Sequence, residues 1–90
     1  MKSDMDIETL KKYSYVISSG YRSRIVKALG EDYKTPTEIS RDVGIRTNHI
    51  SCSLAQLKQA EIVECINEDA RKGRLYRLTE AGEEIARNMK

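Results

Sequence analysis

Among the 90 residues there is one histidine, one proline and two cysteines. Each scarcity removes a class of function. A lone His49, with no phosphate-cradling glycine loop, leaves no legible set of nucleophile, base and orienting acid, so the chain does not read as an enzyme. Cys52 and Cys65 form no CxxC pair and are too few for a disulfide framework. His49 and Cys52 share a helical face at i, i+3, but a zinc site normally takes four ligands. The expectation is no metal, no cofactor and two free thiols in a reducing compartment. No apolar run approaches the ~20 residues of a membrane span, and the N-terminus lacks the apolar core of a signal peptide. A cytoplasmic protein without membrane contact is expected.

Repeats, low-complexity tracts and Pro/Gly-rich linkers are also missing, so residues 1–90 are expected to form a single domain. A chain this short hides roughly 60–65% of its unfolded surface, which leaves little room inside for a ligand cavity. Charged residues make up 33% and apolar residues 39%, as in ordinary soluble domains. The net charge of +2 is small, but the charge is sorted. Residues 71–77 carry four cations and no acid, residues 19–34 four against two, and the first eighteen residues three of each.

Thr35-Pro36-Thr37-Glu38 combines capping-box spacing with proline at a first helical position, so a helix is predicted over about 36–43, ended by Gly44. Ile50, Leu54 and Leu57 form the apolar stripe of a second helix over about 47–60. Two helices joined by a short glycine turn match a helix-turn-helix, about 36–60. Upstream, Tyr21, Ile25, Ala28 and Leu29 predict a helix capped by Ser18 or Ser19 and closed by Gly30. Residues 4–18 are read as a further helix with Asp4 and Asp6 in its first turn, although Tyr15-Val16-Ile17 also suits an extended chain. Downstream, "IVECI" and "RLYRL" around a polar loop predict a β-hairpin over about 62–78, with Tyr76 and Leu78 inward and Arg77 outward. Thr79 then caps a last helix over about 79–89. The fold class is therefore α+β, mostly α: a winged helix-turn-helix with flanking helices and a two-stranded wing.

From about Ser19 onward the sequence resembles prokaryotic winged helix-turn-helix transcriptional regulators of the ArsR/MarR kind. "TPTEISRDVGIRTNHISCSLAQLKQAEIVE" resembles their helix-turn-helix and its run-out into a strand. "RKGRLYRLTEAG" resembles the wing and its exit, and "RSRIVKALG" the preceding helix. The resemblance implies a regulator that binds double-stranded DNA, usually as a homodimer, and leaves the small-molecule effector unknown. Two departures stand out. Cys52 follows Ser51 where the family often has a base, and "TEISRDV" lacks the cysteine pair of the metal-sensing branch.

With the 50/54/57 stripe facing the core, Asn48, Ser51, Cys52 and Ala55 point outward, and Thr47 stands at the leading turn. Asn, Ser and Thr contact base edges in the major groove, and oxidation of an exposed Cys52 would disrupt such contact. Arg46 is placed for a phosphate or a guanine, or to stay solvated. Thr35, Thr37 and the amides beside them form a candidate phosphate site. Arg22 and Arg24, in a first turn where the dipole disfavours cations, call for a phosphate or, by preference, a carboxylate. Arg71, Lys72 and Arg74 flank Gly73 at the wing tip and suit the DNA backbone or the minor groove, with Glu68 and Asp69 opposing them. The outer helices are left for a dimer interface, through Ile7, Leu10, Tyr13 and Ile17 on one and Ile85 and Met89 on the other. Two other functions use the same fold: a protein-interaction module in a transcription complex, and a non-specific nucleic-acid binder.

Overall fold

A computed structural model of the chain describes residues 5–89; the first-turn Asp4 expected from the sequence lies outside them. Helix α1 (Ile7–Ile17) starts at Asp6, whose carboxylate accepts the Thr9 N–H at 2.8 Å. That bond holds the Asp6 carboxyl below its ordinary value. Tyr15, Val16 and Ile17 are helical, and Val16 is fully buried. Ser19 is the cap of α2 (Gly20–Leu29), which Gly30 closes with φ 51°. The inner face of α2 differs from the predicted stripe. Ile25, Val26 and Leu29 fill the core, whereas Tyr21 is exposed and sets its ring 5.3 Å from that of His49.

The helix-turn-helix follows the sequence closely. Thr35 and Glu38 complete a reciprocal capping box at the start of α3 (Pro36–Val43). Gly44 turns the chain with φ 72°, a left-handed conformation that costs an L-residue side-chain strain. Ser40 ties the turn: its carbonyl accepts from the Gly44 and Ile45 amides, and its hydroxyl donates to the Ile45 carbonyl. Ile45 is buried there and plugs the corner. Helix α4 (Thr47–Gln59) then buries Ile50, Ser53, Leu54 and Leu57. At its end Glu61 takes a left-handed φ of 64°, rare for a residue with a side chain.

The sheet has one strand more than the predicted hairpin. β2 (Val63–Cys65) and β3 (Tyr76–Leu78) pair antiparallel with Glu64 opposite Arg77. The two-residue β1 (Tyr33–Lys34) adds to the other edge of β3, giving the order β1-β3-β2. Leu78 is buried, Tyr76 half-buried and Arg77 exposed, in line with the predicted alternation. Helix α5 (Glu80–Asn88) begins at Thr79, whose hydroxyl accepts from Gly82 N–H at 3.1 Å. One apolar cluster, with Val16, Ile25, Leu29, Ile39, Ile50, Leu54, Leu57, Ile62 and Ile85 fully or almost fully buried, joins all five helices and the sheet.

Ile85 therefore belongs to this core and offers no outer face, while Tyr13 and Met89 lie half-buried against it. The outward row that remains on α1 is Ile7, 70% exposed, with Leu10 at 40% and Ile17 at 50%.

Candidate nucleic-acid interface

Three elements converge on an open groove of about 580 Å³. The start of α3 contributes Thr35 and Thr37, the leading half of α4 contributes Thr47 and Ser51, and the wing contributes Arg71, Lys72 and Arg74. Seven of the ten residues singled out from sequence are thus brought together. Arg46, Asn48 and Cys52 are exposed on or beside α4 without lining the groove. Pro36, Gly73 and Tyr76 line it as well, although strand alternation predicts an inward Tyr76.

The start of α3 is a smaller anion site than expected. Pro36 has no N–H, the Glu38 amide is taken by Thr35 Oγ1 at 3.2 Å, and the Ile39 amide by the Thr35 carbonyl at 3.0 Å. The Glu38 carboxylate folds back onto the Thr35 amide at 2.9 Å and brings negative charge with it. Among these groups only the Thr37 amide and hydroxyl face outward without a partner.

The start of α4 differs. Its N-cap is Arg46, which makes no side-chain capping bond, and its first turn holds no acid. The His49 and Ile50 amides bond back to the Arg46 carbonyl, so those of Thr47 and Asn48 are left facing solvent. Ser, Thr, Asp or Asn normally stands at such a position. A cation there, beside unpaired amides at the positive end of the dipole, favours an incoming anion.

On the wing, the four cations are not equivalent. Arg77 is engaged by Glu64 at 2.7 Å. Arg74 donates Nε to the Ala70 carbonyl at 2.8 Å, which leaves the rest of its fork free. Arg71 and Lys72 are exposed beside Gly73, whose φ of 67° makes the tip. Glu68, which precedes them, pairs with Lys58 of α4 at 3.2 Å, so its charge is drawn away from the tip. Asn67 organises the loop: its Oδ1 accepts the Leu75 amide at 2.7 Å and its Nδ2 donates to the Gly73 carbonyl at 3.1 Å. In the sequence Asn67 is one residue of a polar loop. An Asn at the start of a ten-residue loop is the only signal that could have drawn attention to it.

Arg22 does not meet the carboxylate preferred for it; its partners are carbonyl, hydroxyl, amide and ring groups. Cys52 is an exposed free thiol and Cys65 a buried one, 3.6 Å from Asn67 Oδ1. Among the described residues no group of three His, Cys, Asp or Glu side chains could hold a metal ion, and no helix is long and apolar enough to cross a membrane.

A helix-turn-helix followed by a β-hairpin wing and flanked by helices is a winged helix-turn-helix. Residues 19–64, just over half of the chain, match the family described as bacterial regulatory protein, arsR family, and the chain belongs to that family of regulators, which is not one of enzymes. Among solved structures, the transcriptional repressor BigR from Xylella fastidiosa is similar at 27% identity, with a TM-score of 0.69 over 90% of each chain. The winged helix-turn-helix domain of Mb0332 from Mycobacterium bovis, described as homodimeric, DNA-binding and of a possible ArsR-family regulator, is 23% identical with a TM-score of 0.68, over 97% of this chain and 82% of that one. A mutant of ZitR from Lactococcus lactis shares the fold at 18% identity and a TM-score of 0.68; 96% of this chain covers 52% of ZitR, so the chain spans about half its length. No curated protein sequence matches the chain significantly.

Proposed function

We propose that the chain is one winged-helix domain that binds double-stranded DNA sequence-specifically as a homodimer and regulates transcription in the cytoplasm. The observation that carries this is the convergence of the α3 start, α4 and the wing cations on one open groove. Helix α4 enters the major groove, with Asn48 and Ser51 at base edges. Arg46 and the Thr47 and Asn48 amides take a phosphate at its leading end. Arg71, Lys72 and Arg74 follow the backbone or the minor groove. If all three neutralise phosphates, they contribute about 2.7 per protomer to the log–log salt slope.

Asn is the side chain that pairs bidentately with adenine, a contact that discriminates by about 1–3 kcal/mol. Asn48→Ala should therefore flatten base preference at one position of each half-site while binding to scrambled DNA stays as it was. An unchanged preference would refute base reading by Asn48 and favour a protein-interaction module or a non-specific binder.

Dimerisation through α1 is supported by the outward row Ile7, Leu10 and Ile17, and by the homodimeric state of the Mb0332 domain. Leu10→Asp places a charge within that row without touching the core. Sedimentation should give a monomer; an unchanged dimer would move the interface elsewhere.

A further inference from the structure

Arg22, like Arg46, is a cation that stands where its own helix disfavours it. Arg22 lies in the first turn of α2, at the positive end of that helix's dipole. Its guanidinium reaches out to the neighbouring helices. Nε donates to the Tyr15 carbonyl at 2.8 Å, Nη2 to Ser18 Oγ at 2.9 Å, and the group lies 3.8 Å over the Tyr15 ring. Ser18 closes α1, whose own last turn holds no base, so Arg22 supplies the positive charge that α1's C-terminal end favours. Nη1 then donates to Gln56 Oε1 on α4 at 3.2 Å.

We infer that Arg22 is a positioning residue that fixes the reading helix α4 relative to α1 and thereby sets the spacing between the two DNA half-sites a dimer accepts. The inference rests on the dimeric DNA-reading function proposed above. With α1 at the dimer axis, any slack between α1 and α4 is passed on to the distance and angle between the two reading helices.

A second side-chain link between α1 and the end of α4 is weaker. Lys12 and Glu61 stand 3.7 Å apart, with the Glu61 side chain 82% exposed, and such solvated pairs contribute little. Tyr21 against His49 steadies the leading half of α4 on α2. Arg22 joins α1, α2 and the trailing half of α4 through one side chain. A planar fork stacked on a ring fixes directions that a lysine ammonium on a flexible stem does not. Adding one base pair between half-sites turns the second by about 35° and moves it about 3.4 Å. A rigid dimer rejects that displacement, and a loosened one tolerates it.

The test is selection from a random duplex library with the full chain, its Arg22→Lys variant and its Gln56→Ala variant, each first shown to be folded by its melting curve. The parent should enrich paired half-sites at one spacing by roughly tenfold over spacings one base pair longer or shorter, about 1.4 kcal/mol. Arg22→Lys, which keeps the charge, should enrich the same half-site sequence with the spacing preference reduced to about threefold or less, about 0.7 kcal/mol. Should the lysine variant fail to fold, Gln56→Ala, which removes only the α4 end of the bridge, decides by the same readout. A folded variant that keeps the parent's single sharp spacing overturns the inference and leaves DNA reading intact. A parent that enriches no paired motif overturns the dimeric reading, and this inference with it.

Discussion

Gly82→Ala should lower the melting temperature by about 12–24 °C, the equivalent of about 3 kcal/mol in a domain of this size. A Cβ at this position would lie 2.2 Å from the Ile62 carbonyl oxygen and 3.1 Å from Leu78 Cβ. The carbonyl cannot give way easily. It accepts from the Thr79 amide at 2.9 Å, and the Thr79 hydroxyl, which also caps α5, lies 3.1 Å from it and 2.8 Å from the Glu61 carbonyl. Helix α5 would have to lift off the sheet and pull Ile85 out of the core. Overpacking a core usually costs about 1–3 kcal/mol, and an obstacle made of pinned backbone puts this site at the top of that range. Gly20→Ala is the control, because its added methyl meets nothing within 4 Å and should be neutral or stabilising by up to about 1 kcal/mol. Thermal melts followed by far-UV circular dichroism measure both. A Gly82→Ala melt within about 4 °C of the parent, under 1 kcal/mol, would contradict the packing described.

Arg46→Asp should move stability and DNA binding in opposite directions. The parent leaves α4 without a side-chain cap and places a cation at the positive end of its dipole. Arg46 has φ −59° and ψ 145°, extended geometry that an aspartate cap adopts readily. Aspartate would accept an amide bond from the first turn and complement the dipole, for about 1 kcal/mol or a rise of about 4–8 °C in Tm. The same change puts an acid where a phosphate is proposed to bind, so DNA affinity should fall by roughly tenfold or more and the salt slope should drop by about 0.9. A more stable protein with weaker binding would mean that the helix start is left uncapped for its ligand, a trade of stability for function. A variant that binds as well as the parent would remove Arg46 from the interface.

The parts of this fold that were legible in the sequence are those decided by near neighbours. Pro36 with the Thr35/Glu38 box, Gly44 after α3, Gly30 after α2 and Thr79 before α5 each act within a few residues, and each stands where local chemistry placed it. The stripe Ile50/Leu54/Leu57 oriented α4, so its outward residues followed by geometry. What was not legible depends on partners distant in sequence. β1 is two residues whose pairing with β3 lies more than forty positions away, so it leaves no periodicity. For Arg22 only the helix position is readable, which calls for a phosphate or, by preference, a carboxylate, whereas Tyr15, Ser18 and Gln56 answer it from neighbouring helices. Glu61 at positive φ gave no sign, since glutamate is not the residue that conformation selects. At the interface, residue types and charge runs were readable. Which cations remain available was not, because Glu64 and Glu68 find Arg77 and Lys58 only through the hairpin. Ile85 shows the same limit from the other side, an apolar residue on an amphipathic helix whose partner, core or second copy, no spacing distinguishes.

The most direct test of the central claim is fluorescence anisotropy on the gene's own upstream DNA and on a scrambled duplex, repeated across a salt series. A sequence-specific dimer should prefer the upstream DNA by ~10³ or more and lose affinity steeply as salt rises. Equal affinity for the two duplexes, or no binding at low salt, would contradict it.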